Sequence, residues 1–452
     1  MKQADIVVDL YRQKMKPQIL QAMPFWIASL ITGLVAVLYA KMFAVCENYS
    51  LLLVHGHDWI LFFLTPACFV TAWWLVSHFE KKAAGSGIPQ VMASIELATP
   101  KYNHLVDKFL SFRIILVKIV SSLFMVIGGG AIGREGPTVQ IAGSIFRMVN
   151  QLLPASWPKV SKKNMIITGA AAGLAAAFNT PLGGIVFAVE ELARSHISYF
   201  KTAIFTAVII AGLTAQGILG PYLYLGYPDV SNTTLIVFLY VVLVAIIAGA
   251  LGSFLSVIIM RLMKWKRTFK HTRMHVFYVL ISGLIFATIA FFIGHGILGS
   301  GKEQMADLLF RPDKHVAWSL PLLRLAGPAI CFTTGGAGGV FAPALSAGAV
   351  VGGMVGELTR LSGVDVNILI LAGMVAFLTG VTRSPFTSAI LVLEMTDRHN
   401  VIFHLMLAGM IASIAAMVID PHSLYDRLKD MYLSDAYHED IEAGKRQAEV
   451  SE

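Results

Sequence analysis

Apolar stretches long enough to cross a membrane recur along this chain, and they constrain its fold before anything else does. Phe25–Val45, Trp59–Val76, Thr202–Leu219, Leu235–Met260, Val276–Ile297 and Val401–Ile419 are the clearest. A helix rises about 1.5 Å per residue, so about 20 residues span a hydrocarbon core of about 30 Å. Backbone polar groups must be satisfied internally there, which for isolated segments of this length means helices. Composition agrees: 56% of residues are hydrophobic and only 14% are charged, whereas a soluble domain carries roughly 25% charge. No small-residue cleavage site follows the first run, which reads as a retained span and not a signal peptide. The expected fold is an all-α polytopic membrane protein.

Glycine and proline interrupt this apolar sequence. Gly85-Ser-Gly-Ile-Pro89, Gly128–Pro137, Gly335–Pro343 and Thr180–Pro181 are the breaks. Irregular backbone at membrane depth survives only where it is buried in protein or lines a cavity. The breaks therefore predict short helices whose ends meet inside the membrane. Proline at the first helical position marks a helix start, a signature that Pro89, Pro137, Pro343 and Pro181 fit. Unpaired N–H groups and the positive dipole end then face the break, a setting for an anion. A bare anion in a low-dielectric interior costs on the order of tens of kcal/mol. One helix dipole supplies at most about 2 kcal/mol, and each hydrogen bond to a charge roughly 1.5–3 kcal/mol. Several helix starts must therefore converge, with hydroxyls added, and Ser86 is a suitable hydroxyl. Backbone donors carry no full charge that would trap a halide, so it can leave again.

Glu135 lies inside one break, where an anion would sit. A carboxylate can fill that place when charged and leave it when protonated, which makes a proton-dependent gate. The alternative is a carboxylate that only caps a helix start; ionisable groups at membrane depth are functional by default. Glu190 and Glu191 end the apolar helical stretch Leu182–Val189, either as a solvated helix end beside Arg194 or as a proton access point from the cytoplasm. Glu394 has no acidic neighbour and suits a structural role, with Arg398 or a backbone N–H as partner.

The chain also repeats itself. Gly133-Arg-Glu-Gly-Pro137, Gly169, Asn179-Thr-Pro181 and Glu190 are echoed by Gly339-Val-Phe-Ala-Pro343, Gly373, Arg383-Ser-Pro385 and Glu394. The first element recurs after 206 residues and the later Gly, Pro and Glu after 204, so one two-residue loop change separates the copies. Charge sets the orientation, because basic loops stay cytoplasmic. Arg12, Lys14 and Lys16 precede the first run, and Arg261, Lys264, Lys266, Arg267, Lys270 and Arg273 form a block without an acidic residue. No Lys or Arg lies between Lys201 and Arg261, and the Gly220–Asn232 loop carries only Asp229, so this loop is expected outside. Its Tyr222, Tyr224 and Tyr227 suit an interfacial belt. The first half then starts inside and ends outside, and the second returns. Two inverted halves place a transport site near the midplane. The expected divisions are a cytoplasmic segment 1–24, a first half 25–220, an inverted half 221–432 and a short cytoplasmic tail 433–452. The tail expected from Pro421 on has four basic and eight acidic residues and is too short for a regulatory domain.

Other chemistries find no support. The net charge of +8 is dispersed in loops and forms no nucleic-acid face. Cys46, Cys68 and Cys331 lie in or near apolar stretches and read as core residues, with no disulfide or metal spacing. Gly128-Gly-Gly-Ala-Ile-Gly133 matches a dinucleotide pattern without its strand or its later acid, and Glu303 replaces the hydroxyl that a phosphate loop needs after Lys302. No cofactor and no metal are expected, and no enzymatic nucleophile–base motif stands out.

The three glycine-rich motifs resemble those of the CLC family of chloride channels and proton-coupled chloride transporters. Gly85, Ser86, Gly87, Ile88 and Pro89 are similar to its first filter motif. Gly133, Arg134, Glu135, Gly136 and Pro137 are similar to the second, and Gly339, Val340, Phe341, Ala342 and Pro343 to the third. Thr168–Glu191 and Leu371–Asp397 are also family-like, and the resemblance covers residues 25–433. It implies the CLC fold of tilted, broken helices and a homodimer in the lipid bilayer with one pore per subunit. It implies chloride held by the hydroxyls of Ser86 and Tyr425 and by the N–H groups of Val340 and Phe341. It implies Glu135 as gating glutamate, with Arg134 contributing mainly backbone, and Glu191 as proton-transfer residue. Ser86 stands where proline accompanies nitrate preference, and Gln90 and Met92 stand where some relatives have acids. The type implied is a prokaryotic H+/Cl− exchanger of the inner membrane with both termini cytoplasmic. A passive voltage- or pH-gated chloride channel is the alternative, and a nitrate or fluoride carrier the third reading. A cation-coupled carrier would need acidic rings that this sequence lacks.

Overall fold

The computed structural model describes residues 16–451 apart from 155, 159, 194–200, 221–222, 231–234 and 362. Arg12, Lys14, Arg194 and Tyr222 lie outside the described residues. The chain runs through α1 (Lys16–Val54), α2 (Leu61–Phe79), α3 (Ile88–Leu97), α4 (Asn103–Val106), α5 (Phe112–Ile127), α6 (Glu135–Gln151), α7 (Lys162–Phe178), α8 (Pro181–Phe187) and α9 (Lys201–Leu219). It continues through α10 (Leu235–Arg267), α11 (Thr272–Phe292), α12 (Lys302–Phe310), α13 (Leu320–Thr333), α14 (Phe341–Leu358), α15 (Gly363–Thr382), α16 (Pro385–Thr396), α17 (Ile402–Ile419) and α18 (Leu424–Ser451). Among the described residues there is no β-strand, only isolated bridges between Gly85 and Ala337 and between Gly133 and Gly339.

Eight helices among the described residues are long and apolar enough to cross a membrane. Large apolar side chains stand exposed on them, including Leu38, Phe63, Phe277 and Phe403. Such surface costs about 25 cal/mol per Å² in water and nothing comparable in hydrocarbon. The protein is a multi-pass membrane protein. Two of these helices differ from the rest: 83% of the apolar window of α14 and 89% of that of α15 is buried inside the protein. They form the centre, not the lipid boundary. Small residues let them close: Gly348 lies against the backbone of Gly373, and Gly352 against that of Leu369. α10 meets α15 in the same way, Gly252 against Phe377 and Gly249 against Gly380. A side chain at any of these positions would meet backbone, so dispersion contact at small residues sets the spacing.

The apolar runs locate helix centres better than helix ends. α10 continues beyond its apolar run through Lys264, Lys266 and Arg267, where cations suit a helix C-terminus. α11 stops at Phe292 and not at Ile297, because Gly294 at φ +146° turns the chain into a short 3-10 turn, His295–Ile297.

α18 brings Tyr425 to the centre. Its first turns pack on α3, and Lys429 pairs with Glu96 of that helix at 2.7 Å. Further along, Asp435 pairs with Arg267 and Glu439 with Lys82. Just before α18, Asp420 accepts Arg427 Nη2 at 2.6 Å and the His422 N–H at 3.0 Å. Burial works to raise the Asp420 carboxyl, but Arg427 and the His422 N–H outweigh it and hold it below the usual aspartate value.

Candidate anion site between the broken helices

The three glycine-rich breaks are stitched together by backbone hydrogen bonds. Gly85 N donates to Gly336 O at 2.9 Å, and Gly338 N donates to Gly85 O at 3.0 Å. Gly133 and Gly339 exchange both bonds, each at 2.8 Å. These two glycines hold corresponding places in the internal repeat, so the halves of the chain meet at matching residues. From this knot three helices start: α3 after Gly87, α6 at Glu135 and α14 at Phe341. The prolines stand within the first turn of each, Pro89 second, Pro137 third and Pro343 third. That is deeper than the first position, but still where a missing N–H forfeits no intrahelical bond. Pro181 and Pro385 open α8 and α16 directly.

Ser86 is held between two left-handed glycines, Gly85 at φ +61° and Gly87 at φ +104°. Only glycine adopts this backbone readily, and a Cβ at Gly87 would also lie 2.8 Å from Gln140 Cβ. The resulting turn aims the Ser86 hydroxyl onto the Cα of Gly136 in the second break. Lys118, wholly buried on α5, fixes the segment before Ser86 by donating to the carbonyls of Ala83 at 2.8 Å, Ala84 at 3.3 Å and Gly85 at 2.8 Å.

Under-satisfied polar atoms collect beside this knot. Ser86 Oγ and Tyr425 Oη are buried and face each other, and neither they nor Glu135 Oε2 find a further partner among the described residues. An orphaned buried group costs roughly 1–3 kcal/mol and calls for an explanation. Two are hydroxyls, able to donate, and they join the helix starts in donating character. Tyr425 lies in electrostatic reach of both Glu135 and Glu191. The Phe341 ring stacks on Tyr425, with centroids 6.1 Å apart and planes 13° apart. Val340 and Phe341 are buried at the start of α14. A buried, donor-rich setting of this kind fits a halide.

Glu135 opens α6 with its carboxylate turned back into the break. Oε2 lies against the Cα of Gly133, and Oε1 accepts the Tyr224 hydroxyl at 3.3 Å. Arg134 turns away and donates to Ala40 O of α1 at 3.0 Å. Tyr224 is therefore no belt residue: it is 5% exposed, whereas Tyr227 is 61% exposed and free to suit a membrane surface. Tyr224 ends a line of aromatic rings that runs from Tyr425 through Phe341 to Phe178, with the last pair edge to face at 5.2 Å.

The two adjacent acids after α8 do different work. A π turn, Ala188–Leu192, carries both. Glu190 caps the start of α16, accepting Phe386 N at 3.2 Å, Thr387 N at 2.7 Å and the Thr387 hydroxyl at 2.7 Å. Glu394, on α16, reciprocates at the start of α8 by accepting Leu182 N at 3.0 Å and Gly183 N at 2.6 Å. Arg398 is not its partner and bonds Tyr227 O. Glu191 points inward instead, 5% exposed, and accepts the Ser384 hydroxyl. Neither the roles of Lys118 and Tyr224 nor the Glu190 cap is legible in the sequence. A lone lysine in the apolar run Phe112–Ile127 was the one available signal.

The sequence profile of the family described as "Voltage gated chloride channel" matches residues 67–417. The chain belongs to this family. A CLC chain named H(+)/Cl(-) exchange transporter ClcA from Salmonella arizonae is 30% identical over 422 residues, covering 88% of this chain and 85% of that protein. The ClcA of Salmonella paratyphi B is likewise 30% identical, over 424 residues. Solved CLC structures share the fold. A slow cyanobacterial Cl−/H+ antiporter superposes with a TM-score of 0.79 at 22% identity, over 92% of this chain and 98% of that one. A CLC-type fluoride/proton antiporter superposes at 0.75 and 19%, over 91% and 98%. The family is one of transport proteins.

Proposed function

We propose that this CLC chain exchanges chloride for protons, as the name of its ClcA relatives says of them. The observation that carries this reading is the place of Glu135: an ionisable carboxylate wedged between the knotted helix starts and beside the donors of Ser86 and Tyr425. Charged, it competes with chloride for those donors. Protonated, it loses the competition and swings out. Chloride is then held by Ser86, Tyr425 and the Val340 and Phe341 N–H groups. Glu191 takes the second proton post, with Tyr425 in electrostatic reach of both acids. Backbone and hydroxyl donors hold chloride tightly enough to strip its water and loosely enough to release it.

Reconstituted vesicles test this directly. An imposed chloride gradient should drive protons uphill. Glu135→Ala should abolish that coupling while chloride still passes, and Glu191→Ala should do likewise. Proton movement that never exceeds its own gradient refutes the exchange reading and leaves a passive channel. Assembly as a homodimer in an inner membrane, with both termini cytoplasmic, belongs to the same proposal. Cross-linking in native membranes and protease access from either side test it.

A further inference from the structure

Tyr224 stands between a cation and the Glu135 carboxylate, outside the set of groups proposed to hold chloride. Its hydroxyl donates to Glu135 Oε1 at 3.3 Å. Its ring lies edge to face on Phe178 at 5.2 Å, and the Lys302 ammonium sits over it, 4.7 Å from the centroid. Both partners are on fixed backbone. Leu225 N donates to Met395 O at 3.1 Å. Lys302 opens α12 directly after Gly301, whose φ of +87° is left-handed and whose Cα lies against Ser346.

We propose that Tyr224 and Lys302 form a clasp on the gate: positioning residues that hold the Glu135 carboxylate in its seat and set how readily it leaves. This rests on the reading of Glu135 as the gate. A phenol donates more strongly to an ionised carboxylate than to a neutral acid. A cation is attracted to an aromatic face, and in a poorly hydrated site its charge also reaches the carboxylate behind the ring. Both effects favour the charged, seated form over the protonated, departed one. Other groups face the carboxylate as well. Arg134 precedes it, Glu47 and Tyr39 approach from α1, and Tyr425 from α18. Arg134 is tied to Ala40 O and Glu47 to Ser300 N. The Tyr224 side chain bonds the carboxylate directly.

Tyr224→Phe removes one hydroxyl and keeps the ring on Phe178 and under Lys302. Chloride flux from vesicles is measured across the acid-to-neutral range. Gate-limited flux falls as pH rises, because the acid ionises and reseats. Without its donor the charged form is less favoured, so half-maximal flux moves to higher pH, by about one unit for one hydrogen bond to a charge. Lys302→Met moves it the same way by less, and Lys302→Arg restores it. In a Glu135→Ala background, Tyr224→Phe changes nothing. A Tyr224→Phe profile that overlays the wild type, while Glu135→Ala is flat with pH, overturns the clasp alone. A Glu135→Ala protein that keeps the wild-type pH dependence overturns the gate itself.

Discussion

Adjacent glutamates Glu190 and Glu191 should give opposite mutant phenotypes, and the size of one of them follows from the structure. Glu190 accepts three hydrogen bonds at the start of α16, and Glu394 accepts two at the start of α8. A bond to a charged group contributes roughly 1.5–3 kcal/mol when buried, and loss of a helix cap costs about 0.5–2 kcal/mol. Both carboxylates are half-buried, so water replaces part of what is lost. Glu190→Ala should then destabilise the protein by about 2–3 kcal/mol and Glu394→Ala by about 1–2 kcal/mol. The caps brace one helix pair, so the double variant should lose less than the two single losses combined. Thermal unfolding in detergent at constant lipid reads these losses. Proton-driven flux in vesicles reads the second half: Glu190→Ala retains coupling, and Glu191→Ala loses it. Additive losses, or a Glu190→Ala protein as stable as wild type, refute the reciprocal brace.

Gly136→Ala puts a methyl where the Ser86 hydroxyl lies, 2.9 Å from Ser86 O; calorimetric chloride titration should show affinity lowered at least tenfold, with the helical spectrum unchanged. Lys118→Met withdraws the donor from three carbonyls around the first break; chloride binding should weaken about tenfold, or ~1.4 kcal/mol, and the midpoint of unfolding should fall. The Asp420–Arg427 contact should act as an acid-sensitive staple. Because the folded carboxyl sits below its ordinary value of about 3.9, its contribution is complete above that pH and disappears as pH falls through the depressed folded value. Asp420→Asn should therefore lower the unfolding temperature at neutral pH and cease to differ from wild type in strong acid.

Much of this architecture is written locally. Glycine and proline dictate backbone wherever they stand, so the breaks at Gly85, Gly133 and Gly339 could be read residue by residue, and apolar length marks a span without knowledge of its neighbours. Helix ends were less legible, because Gly294 alone decides where α11 stops while Lys264 and Lys266 ride on as the last turns of α10. Tyr224 reads as an interfacial residue from sequence alone, and the structure buries it. Its contact with Glu135 spans 89 residues and depends on how the loop folds back, so a tyrosine triplet near an apolar run looked like a surface belt. The separate tasks of Glu190 and Glu191 were hidden for a related reason. One faces the α16 start and the other Ser384, and both partners lie nearly two hundred residues away.

The bonded pair Gly133 and Gly339 sets a schedule for biosynthesis. The two glycines are 206 positions apart, and a ribosome adds about 5–20 residues per second. For about 10–40 s after the first break is made, its amide groups lack the segment that completes them. The nascent first half must wait within the insertion machinery or a partly hydrated groove. A chain cut in the loop after Leu219 should therefore regain transport only when both fragments are made together.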